Sequence, residues 1–318
     1  MINHSLVHKD GAPFFSVIMN CHNGASFLQE AIESVYMQEF NDWEIIFFDN
    51  ASTDDSAEIV KSLDTRIKYF YNPVLVPLGS ARNKAVKLAN GKYLAFLDCD
   101  DLWLSGKLRF QFDMINNLLQ ERKTAVLCYS DAFRIDEVGR DLVQFSHDHE
   151  LYRGDIYKNL IIDDFIPMSS CVISKEVFEN VGGFNVNYEF VEDWDLWLRI
   201  ARKYDVALVR KPLLKIRLHS NNLSRDMLGH SQEMYNLVDN IITLCAEESR
   251  AKSFSLDSIK LRISISRLSV SIKERKGLFM SITKLILQFI SSPYIFFKTT
   301  KKYINKKMIK VVYMRIFG

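Results

Sequence analysis

The stretch Phe96-Leu97-Asp98-Cys99-Asp100-Asp101 decides both the fold and the site that this sequence predicts. Residues 93–97 form an apolar run that ends abruptly in three carboxylates. Such a run is typical of a buried strand in a parallel sheet, and ligands of open α/β sheets bind beyond the carboxyl ends of the strands. Because crowded carboxylates repel one another unless a cation lies among them, Asp98, Asp100 and Asp101 are candidate ligands of Mg²⁺ or Mn²⁺. The alternative is a solvated acidic turn.

The composition is that of an ordinary globular protein, but the charge is unevenly distributed. The chain has 318 residues, of which 48% are hydrophobic and 25% are charged, with a net charge of +2. This length suits one or two domains. From Arg275 onward there are ten Lys or Arg residues and no acidic residue, so the rest of the chain is net acidic. An acidic body with a basic tail argues against nucleic acid as a partner of the body.

The cysteines and the first residues indicate the compartment. The five cysteines are scattered and contain no C-x-x-C pair, which argues against a disulfide framework and against a zinc site. This usage suits a reducing cytoplasm. Residues 1–4 lack the basic region followed by an apolar region of a signal peptide, so we expect none.

Strands and helices alternate in the first half of the sequence. Apolar runs predict strands at residues 16–19, 44–48, 67–71 and 93–97, and helical periodicity predicts helices at residues 27–36, 57–63 and 80–89. The pair Ser26 and Gln29 predicts a capping box, and Asn90-Gly91 predicts a helix stop. The alternation predicts a mostly parallel α/β sheet with flanking helices. Three strands then end in polar residues, which would converge on one crevice.

The second half is more mixed. We expect strands at residues 125–129, 170–173 and 213–218, a turn at residues 182–184, and a helix that opens with acids at residue 192. Beyond about residue 224 the pattern becomes mostly helical. The predicted organisation is therefore an N-terminal arm at residues 1–13, an α/β domain at residues 14–224 and a helical C-terminal region at residues 225–318.

In order and spacing, these motifs resemble family 2 glycosyltransferases with the GT-A fold, over roughly residues 14–220. The resemblance implies a Rossmann-like, mostly parallel sheet with a C-terminal helical extension. It also implies an inverting enzyme that moves a sugar from a nucleotide diphosphate-sugar, most commonly a UDP-sugar, to a hydroxyl of a glycan or lipid-linked acceptor in surface polysaccharide biosynthesis. The segments that carry it are residues 16–23, 31–35, 43–46, 49–54, 81–83, 89–91, 97–101, 182–184 and 192–194.

The resemblance implies roles for four metal-site residues. Charge that builds on the leaving phosphate must be neutralised, and a divalent cation does so as a Lewis acid. Asp98 and Asp100 are the candidate anchors of Mg²⁺ or Mn²⁺, with Asp101 nearby, and the acid that contacts the metal directly is left open. The family often has a histidine near the metal or phosphate at the position of His219.

An inverting single displacement needs one base that takes the proton of the acceptor hydroxyl. The pair Glu192-Asp193 resembles the base motif of the family, and Asp193 is the candidate base. The alternative is that both acids only stabilise the start of their helix through its dipole. Glu192 and Trp194 are candidates for the acceptor side, whereas Trp103 and Trp197 are expected to pack in the core.

The nucleotide site is predicted at the ends of the first two strands. Asn20, His22, Asp49 and Asn50 are the candidate base-binding residues, with His22 able to stack on the base. The family usually has Tyr at the position of His22 and an acid at that of Asn50, so these departures leave the base open. Arg82 is predicted either to approach the diphosphate or to bridge to the acids, the alternative being a structural ion pair.

The C-terminal tail predicts a membrane contact. The apolar run at residues 278–297 is interrupted by Lys284, Gln288 and Pro293, which makes a poor transmembrane helix. Residues 298–315 are basic, aromatic-rich and amphipathic, which is typical of a segment that lies on an anionic cytoplasmic membrane face. The alternative is a helix that packs on the body. We therefore expect a cytoplasmic protein that is peripheral on the inner face of the cell membrane.

Four other functions are alternatives for the same residues. A dehydrogenase would need G-x-G-x-x-G after the first strand, and a sugar-nucleotide pyrophosphorylase would need a Gly-rich, Arg-containing loop there, whereas Asn23-Gly24-Ala25 provides neither. A catalytically inactive glycan-binding or scaffold protein is disfavoured by the intact acids. A polyprenyl-phosphate glycosyltransferase would differ in making a lipid monophosphosugar.

Overall fold

The computed structural model describes residues 11–63, 65–124, 126–220 and 222, together with residues 233, 234, 236, 237, 240 and 241. By its internal contacts the chain divides into two units, residues 1–222 and residues 223–318. The predicted membrane-binding tail lies outside the described residues, and the predicted domain boundaries stay a prediction. Within the described part of the chain, no helix has the length and apolar character needed to cross a membrane.

The first half alternates strands and helices as the sequence predicts. Its elements are β1 Phe15–Cys21, α1 Ala25–Tyr36, β2 Trp43–Asn50, α2 Ser56–Lys61, β3 Ile67–Asn72, α3 Leu78–Val86 and β4 Tyr93–Phe96. The four predicted strands of this half are therefore confirmed, with small shifts at their ends.

The second half of the described chain adds five further strands and four further helices. Its elements are β5 Leu102–Trp103, α4 Lys107–Gln120, β6 Leu127–Ile135, β7 Asp141–Gln144, α5 Tyr157–Ile162, β8 Val172–Ser174, α6 Lys175–Asn180, α7 Glu192–Ala201 and β9 Ala207–Arg217. Single 3₁₀ turns occur at Phe145–His147 and Met168–Ser170. The strands expected near residues 127, 172 and 213 are all present.

All nine strands belong to one sheet, in the order β3-β2-β1-β4-β8-β6-β9-β5, with β7 paired to β6. The strands β3, β2, β1 and β4 are parallel. β8 is antiparallel to both β4 and β6, and β9 runs parallel to β6. Because β1 and β4 are neighbours in the middle of the sheet, the residues after their carboxyl ends lie side by side there.

The core explains why the central strands are so apolar. Every residue of β2 is buried, and Val17 and Met19 of β1 are fully enclosed. α1 contributes the apolar face of Leu28, Ile32 and Val35 to the same core. Strands that are covered on both faces need continuous apolar sequence, which is the pattern that predicted them. The four described cysteines are free thiols, as the sequence predicts.

The start of α1 differs from the predicted capping box. The helix begins at Ala25 after Gly24, and no side chain of its own caps it, so Ser26 lies inside the first turn. Instead, the Ala25 N–H donates to Asp54 Oδ2 at 3.0 Å. The prediction was wrong because a carboxylate from the loop after β2 satisfies this helix end, which a local pattern does not reveal.

Gly91 also has a different role from the predicted helix stop. α3 already ends at Val86, and the Gly91 N–H donates to Ser16 Oγ at 2.8 Å. That hydroxyl donates to Glu44 Oε1 at 2.6 Å, which also accepts the Asn90 N–H at 2.7 Å. A Cβ on Gly91 would lie 2.4 Å from the Ser16 backbone nitrogen. Gly91 is therefore required by close approach to β1.

We expect Gly91→Ala to destabilise the protein by roughly 3 kcal/mol, because the new methyl group meets rigid backbone in the middle of the sheet. The measurement is the free energy of unfolding from urea denaturation. Gly106→Ala is the matched control, since its Cβ meets only the edge of the partly exposed Phe110 ring at 2.9 Å. Gly106→Ala should lower the free energy of unfolding by about 1 kcal/mol or less. Equal losses in both variants would contradict this explanation of Gly91.

Candidate active site

The three carboxylates after β4 form a tight turn, which we call the acid turn, residues 98–101. The Asp101 N–H donates to the Asp98 carbonyl at 3.1 Å and closes it. The Asp98 and Asp100 side chains are 39% and 29% exposed, whereas Asp101 is 6% exposed as a residue. Two carboxylates thus reach solvent from this turn, while the third points inward.

The acid turn carries negative charge that its surroundings only partly balance. Burial, followed by the charge of Asp98, raises the pKa of Asp100, and the contact with His219 opposes this shift. Burial, followed by the charges of Asp100 and Asp98, raises the pKa of Asp101 well above its usual range. A cation placed beside the turn would relieve this repulsion.

Arg82 of α3 connects the acid turn to the start of α7. Its side chain is 4% exposed, with Nη2 donating to Asp98 Oδ1 at 2.7 Å and Nη1 donating to Glu192 Oε1 at 2.6 Å. The structure thus places Arg82 in a bridge between two acidic motifs that are far apart in the sequence. A contact of Arg82 with a diphosphate stays a prediction.

The start of α7 combines three acids in its first turn, Glu192, Asp193 and Asp195. Burial, followed by the charge of Asp193, raises the pKa of Glu192 to about 8, although Arg82 lowers it. Asp195 pairs with Arg199 one turn later at 2.7 Å. Asp193, the candidate base, is half-buried, and its Oδ1 accepts the Trp194 N–H at 2.7 Å.

A turn with two glycines positions α7 against α3. The Asn83 side chain makes two hydrogen bonds with the backbone of Phe184, at 2.8 and 2.9 Å. Gly183 has a φ of 66°, and a Cβ there would lie 2.6 Å from Asn83 Oδ1. The turn Gly182-Gly183-Phe184 is therefore held against Asn83 of α3. It needs glycine at residue 183, where the φ is positive and a Cβ would clash.

The residues after β9 reach the other side of the acid turn. His219 Nε2 lies 2.8 Å from Asp100 Oδ2, and the Asn222 amide donates to the same oxygen at 3.2 Å. The structure thus brings His219 to Asp100, and its role at a metal stays a prediction.

The donor set of the acid turn fits a divalent cation that also binds a diphosphate. Among the described residues, no three His, Cys, Asp or Glu side chains are arranged to hold a metal ion by themselves. Mg²⁺ is usually held by one or two carboxylates plus substrate phosphates, so a complete cage is not required. Asp98, Asp100 and His219 offer carboxylate oxygens and an imidazole nitrogen at one accessible edge. Asp101 faces inward, and its Oδ1 accepts the Arg217 N–H at 3.1 Å.

The candidate base-binding residues at the end of β2 are held by the protein itself. Asp49 is 1% exposed; its Oδ2 accepts the Tyr69 hydroxyl at 2.6 Å and its Oδ1 accepts the Ser52 N–H at 2.8 Å. The Asn50 side chain makes two hydrogen bonds with the backbone of Val76. Its Nδ2 donates to the Val76 carbonyl at 2.8 Å, and its Oδ1 accepts the Val76 N–H at 3.1 Å. These contacts hold the Asp49 and Asn50 side chains in place. Recognition of a base by either residue stays a prediction.

The candidates at the end of β1 are more available. His22 is exposed, and its Nδ1 lies 3.0 Å from the Asn50 carbonyl. The Asn20 Nδ2 is buried and has no hydrogen-bond partner. A buried donor without a partner is costly, so a ligand that accepts from Asn20 would gain from it.

The two acceptor-side candidates lie inside the protein. Trp194 is 2% exposed and its Nε1 donates to the Leu160 carbonyl at 2.8 Å, while Glu192 is 4% exposed and engaged by Arg82. Both side chains are committed to internal contacts, so their acceptor role stays a prediction that this arrangement does not favour. Trp103 and Trp197 are 3% and 0% exposed, as expected for core residues.

The sequence reasoning missed three residues that contact the acid turn. Ser169 Oγ accepts the Asp98 N–H at 3.1 Å, and its hydroxyl also bonds to the Asp101 carboxyl. The Asn222 amide donates to Asp100 Oδ2 at 3.2 Å, and Arg217 Nε donates to the Asp100 carbonyl at 3.1 Å. The only available signal was that Arg217 ends an apolar strand two residues before His219.

Comparisons with known proteins identify the family of this chain. Residues 16–182 match the model of the family described as Glycosyl transferase family 2, and the chain belongs to that family. An uncharacterized glycosyltransferase of Rickettsia conorii is 29% identical over 241 residues, which is 74% of this chain. The chain spans about two fifths of the length of that relative, since the match covers 39% of it.

A second relative is named for a cell-surface polymer. The putative teichuronic acid biosynthesis glycosyltransferase TuaG of Bacillus subtilis is 30% identical over 218 residues, covering 67% of this chain and 82% of TuaG.

Solved structures confirm the predicted GT-A fold. S. aureus TarS in complex with UDP-GlcNAc superposes with a TM-score of 0.63 at 16% identity, covering 95% of this chain and 87% of that one. The mannosyltransferase PcManGT of Pyrobaculum calidifontis, in complex with GDP-Man and Mn²⁺, gives a TM-score of 0.59 at 13% identity, covering 96% and 88% of the two chains.

We expect the stability of the wild type to fall, relative to Glu192→Gln, as the pH rises from about 4.5 to about 8. The raised pKa means that folded Glu192 keeps its proton in this window after the unfolded chain has lost it, so folding becomes less favourable. Above about pH 8 the difference should stay constant. The measurement is the unfolding free energy at several pH values without nucleotide or metal.

Glu176→Gln is the control for this comparison, because Glu176 is an exposed acid in the first turn of another helix, α6. The unfolding free energy of Glu176→Gln should change with pH in the same way as that of the wild type. A stability difference between the wild type and Glu192→Gln that does not change with pH would contradict the burial of a protonated Glu192.

Proposed function

We propose that this protein is an inverting glycosyltransferase that uses a nucleotide diphosphate-sugar and a divalent cation. The observation that carries the proposal is the Arg82 bridge, which places the acid turn and the Asp193-bearing start of α7 beside each other. The first motif suits the leaving diphosphate and the second suits the acceptor hydroxyl. A single displacement needs both functions in one site.

Each side of the reaction has its own residues. Asp98, Asp100 and His219 would hold the cation, which when bound neutralises charge on the leaving diphosphate as a Lewis acid. Asp193 takes the proton of the acceptor hydroxyl at its carboxylate. Arg82 stays charged in its buried position, because the Asp98, Glu192 and Asp193 charges outweigh the cost of burial and raise its pKa.

The donor is proposed to be a UDP-sugar, and the acceptor a hydroxyl of a glycan or lipid-linked glycan. The donor is supported by the shared fold with TarS, which was solved with UDP-GlcNAc, while PcManGT was solved with GDP-Man. The place in surface polysaccharide biosynthesis is supported by the name of the TuaG relative. The basic sequence of residues 298–315 supports peripheral contact with an anionic membrane.

We expect one nucleoside diphosphate to raise the unfolding temperature when Mn²⁺ is present. UDP, GDP and dTDP are compared with and without Mn²⁺ in a thermal-shift assay. Ligand at a hundred times Kd adds about 2.7 kcal/mol of stability, which is readily measured. A shift that needs Mn²⁺ supports the acid turn as the metal site. If none of the three nucleotides shifts the transition, the weight moves to a glycan-binding or scaffold protein.

We expect Asp193→Asn to bind the nucleotide and Mn²⁺ normally but to lose at least about a hundredfold in sugar transfer, since the acceptor proton has no base. The measurements are the thermal shift and the turnover of the donor with a glycan acceptor. Asp205→Asn is the control, because Asp205 is an exposed residue just before β9, at the strand end away from the acid turn. Turnover by Asp193→Asn within threefold of the control would refute the assigned base.

A further inference from the structure

Arg217 is the last residue of β9 and is 1% exposed. A buried guanidinium must have its charge and its five N–H donors satisfied, or it destabilises the fold. Here the donors are distributed over three separate segments of the chain. Nη1 donates to the Glu137 carbonyl at 2.9 Å, Nη2 donates to Glu30 Oε2 at 2.9 Å, and the guanidinium lies 4.6 Å from the centre of the Phe27 ring.

The remaining donors of Arg217 contact the acid turn through groups other than its exposed carboxylates. Nε donates to the Asp100 carbonyl at 3.1 Å, and the backbone N–H donates to Asp101 Oδ1 at 3.1 Å. These contacts of Arg217 leave the Asp100 carboxylate to His219 and Asn222. Arg217 therefore holds the backbone of the acid turn while the Asp100 carboxylate faces the site.

The other end of the acid turn is held in a different way. Arg82 contacts the carboxylate of Asp98 directly, and Ser169 accepts the Asp98 N–H. Only at the Asp100 end does a buried cation fix the turn without occupying the carboxylate. The hydrogen bond from Arg217 Nε therefore holds the backbone that carries Asp100, while His219 and Asn222 contact the carboxylate itself.

We propose that Arg217 is a positioning residue that orients Asp100 for binding of the divalent cation. This inference rests on the proposed function, because it assumes that the acid turn holds a metal. Groups that orient metal ligands without touching the metal typically change metal affinity 10- to 100-fold when they are replaced. A purely structural role would instead lower the stability of the fold and leave metal affinity unchanged.

The test uses Arg217→Lys, which keeps the positive charge but loses the planar fork that reaches the carbonyl, Glu137 and Glu30 together. Mn²⁺ affinity of the full-length chain is measured by the EPR signal of free Mn²⁺, with whichever of UDP, GDP and dTDP the thermal-shift screen selects. We expect Mn²⁺ affinity to weaken at least tenfold. The metal-free unfolding temperature is measured on the same samples to show that the variant is folded.

Arg134→Lys is the matched control. Arg134 lies on the neighbouring strand β6, in register with Ile216 of β9, but its guanidinium bonds to Asp148 and not to the acid turn. Its Mn²⁺ affinity should equal that of the wild type. If Arg217→Lys does not fold, Glu30→Gln serves instead, since the Glu30 carboxylate is 59% exposed and anchors only Nη2. Loss of this one anchor should weaken Mn²⁺ binding roughly threefold.

The outcomes separate the two proposals. If folded Arg217→Lys binds Mn²⁺ with wild-type affinity, the positioning role is overturned and the metal site stands. If Arg217→Lys does not fold, wild-type Mn²⁺ affinity in Glu30→Gln has the same meaning. Wild-type protein that shows no saturable Mn²⁺ binding overturns the metal role and the positioning role together. Weaker binding in Arg217→Lys with an unchanged Arg134→Lys supports the inference.

Discussion

Mutual repulsion among three carboxylates in one tight turn is the constraint on which the rest of this structure depends. Asp98, Asp100 and Asp101 follow β4 without a spacer longer than one residue, at the middle of a nine-stranded sheet. Such a turn is unfavourable unless positive charge and hydrogen-bond donors surround it. The elements that supply them come from three distant parts of the chain, and their placement defines the active site.

Two buried arginines stabilise the acid turn in different ways. Arg82 contacts the Asp98 carboxylate and carries the connection on to Glu192, so the helix with the candidate base is joined to the acid turn. Arg217 contacts the Asp100 carbonyl and leaves the carboxylate accessible. Breaking a buried ion pair leaves an uncompensated charge, which makes such links costly to lose. The acid turn is therefore held by buried donors, while its Asp98 and Asp100 carboxylates stay partly exposed.

The sequence predicted the parallel half of the fold well, because strands buried on both faces must be continuously apolar and their polar ends must meet. It predicted the acid turn from residue type and position after a strand, and His219 through the family resemblance, and the structure brings Asp100 and His219 together. It did not predict the roles of Gly91, Asp54 or Arg217. Each of these acts on a partner more than 25 residues away, so no local periodicity or capping pattern records it.

The sheet order has a consequence for how such a protein can be recombined. The parallel strands β3-β2-β1-β4 meet the rest of the sheet through β8, across only three residue pairs, from Tyr93↔Ser174 to Ala95↔Val172. The Arg82–Glu192 and Asn83–Phe184 contacts cross this seam, and so do the contacts of Arg217 and His219 with Asp100. A chimaera that joins the first four strands of this chain to the remaining strands of a relative must therefore keep these four pairs together.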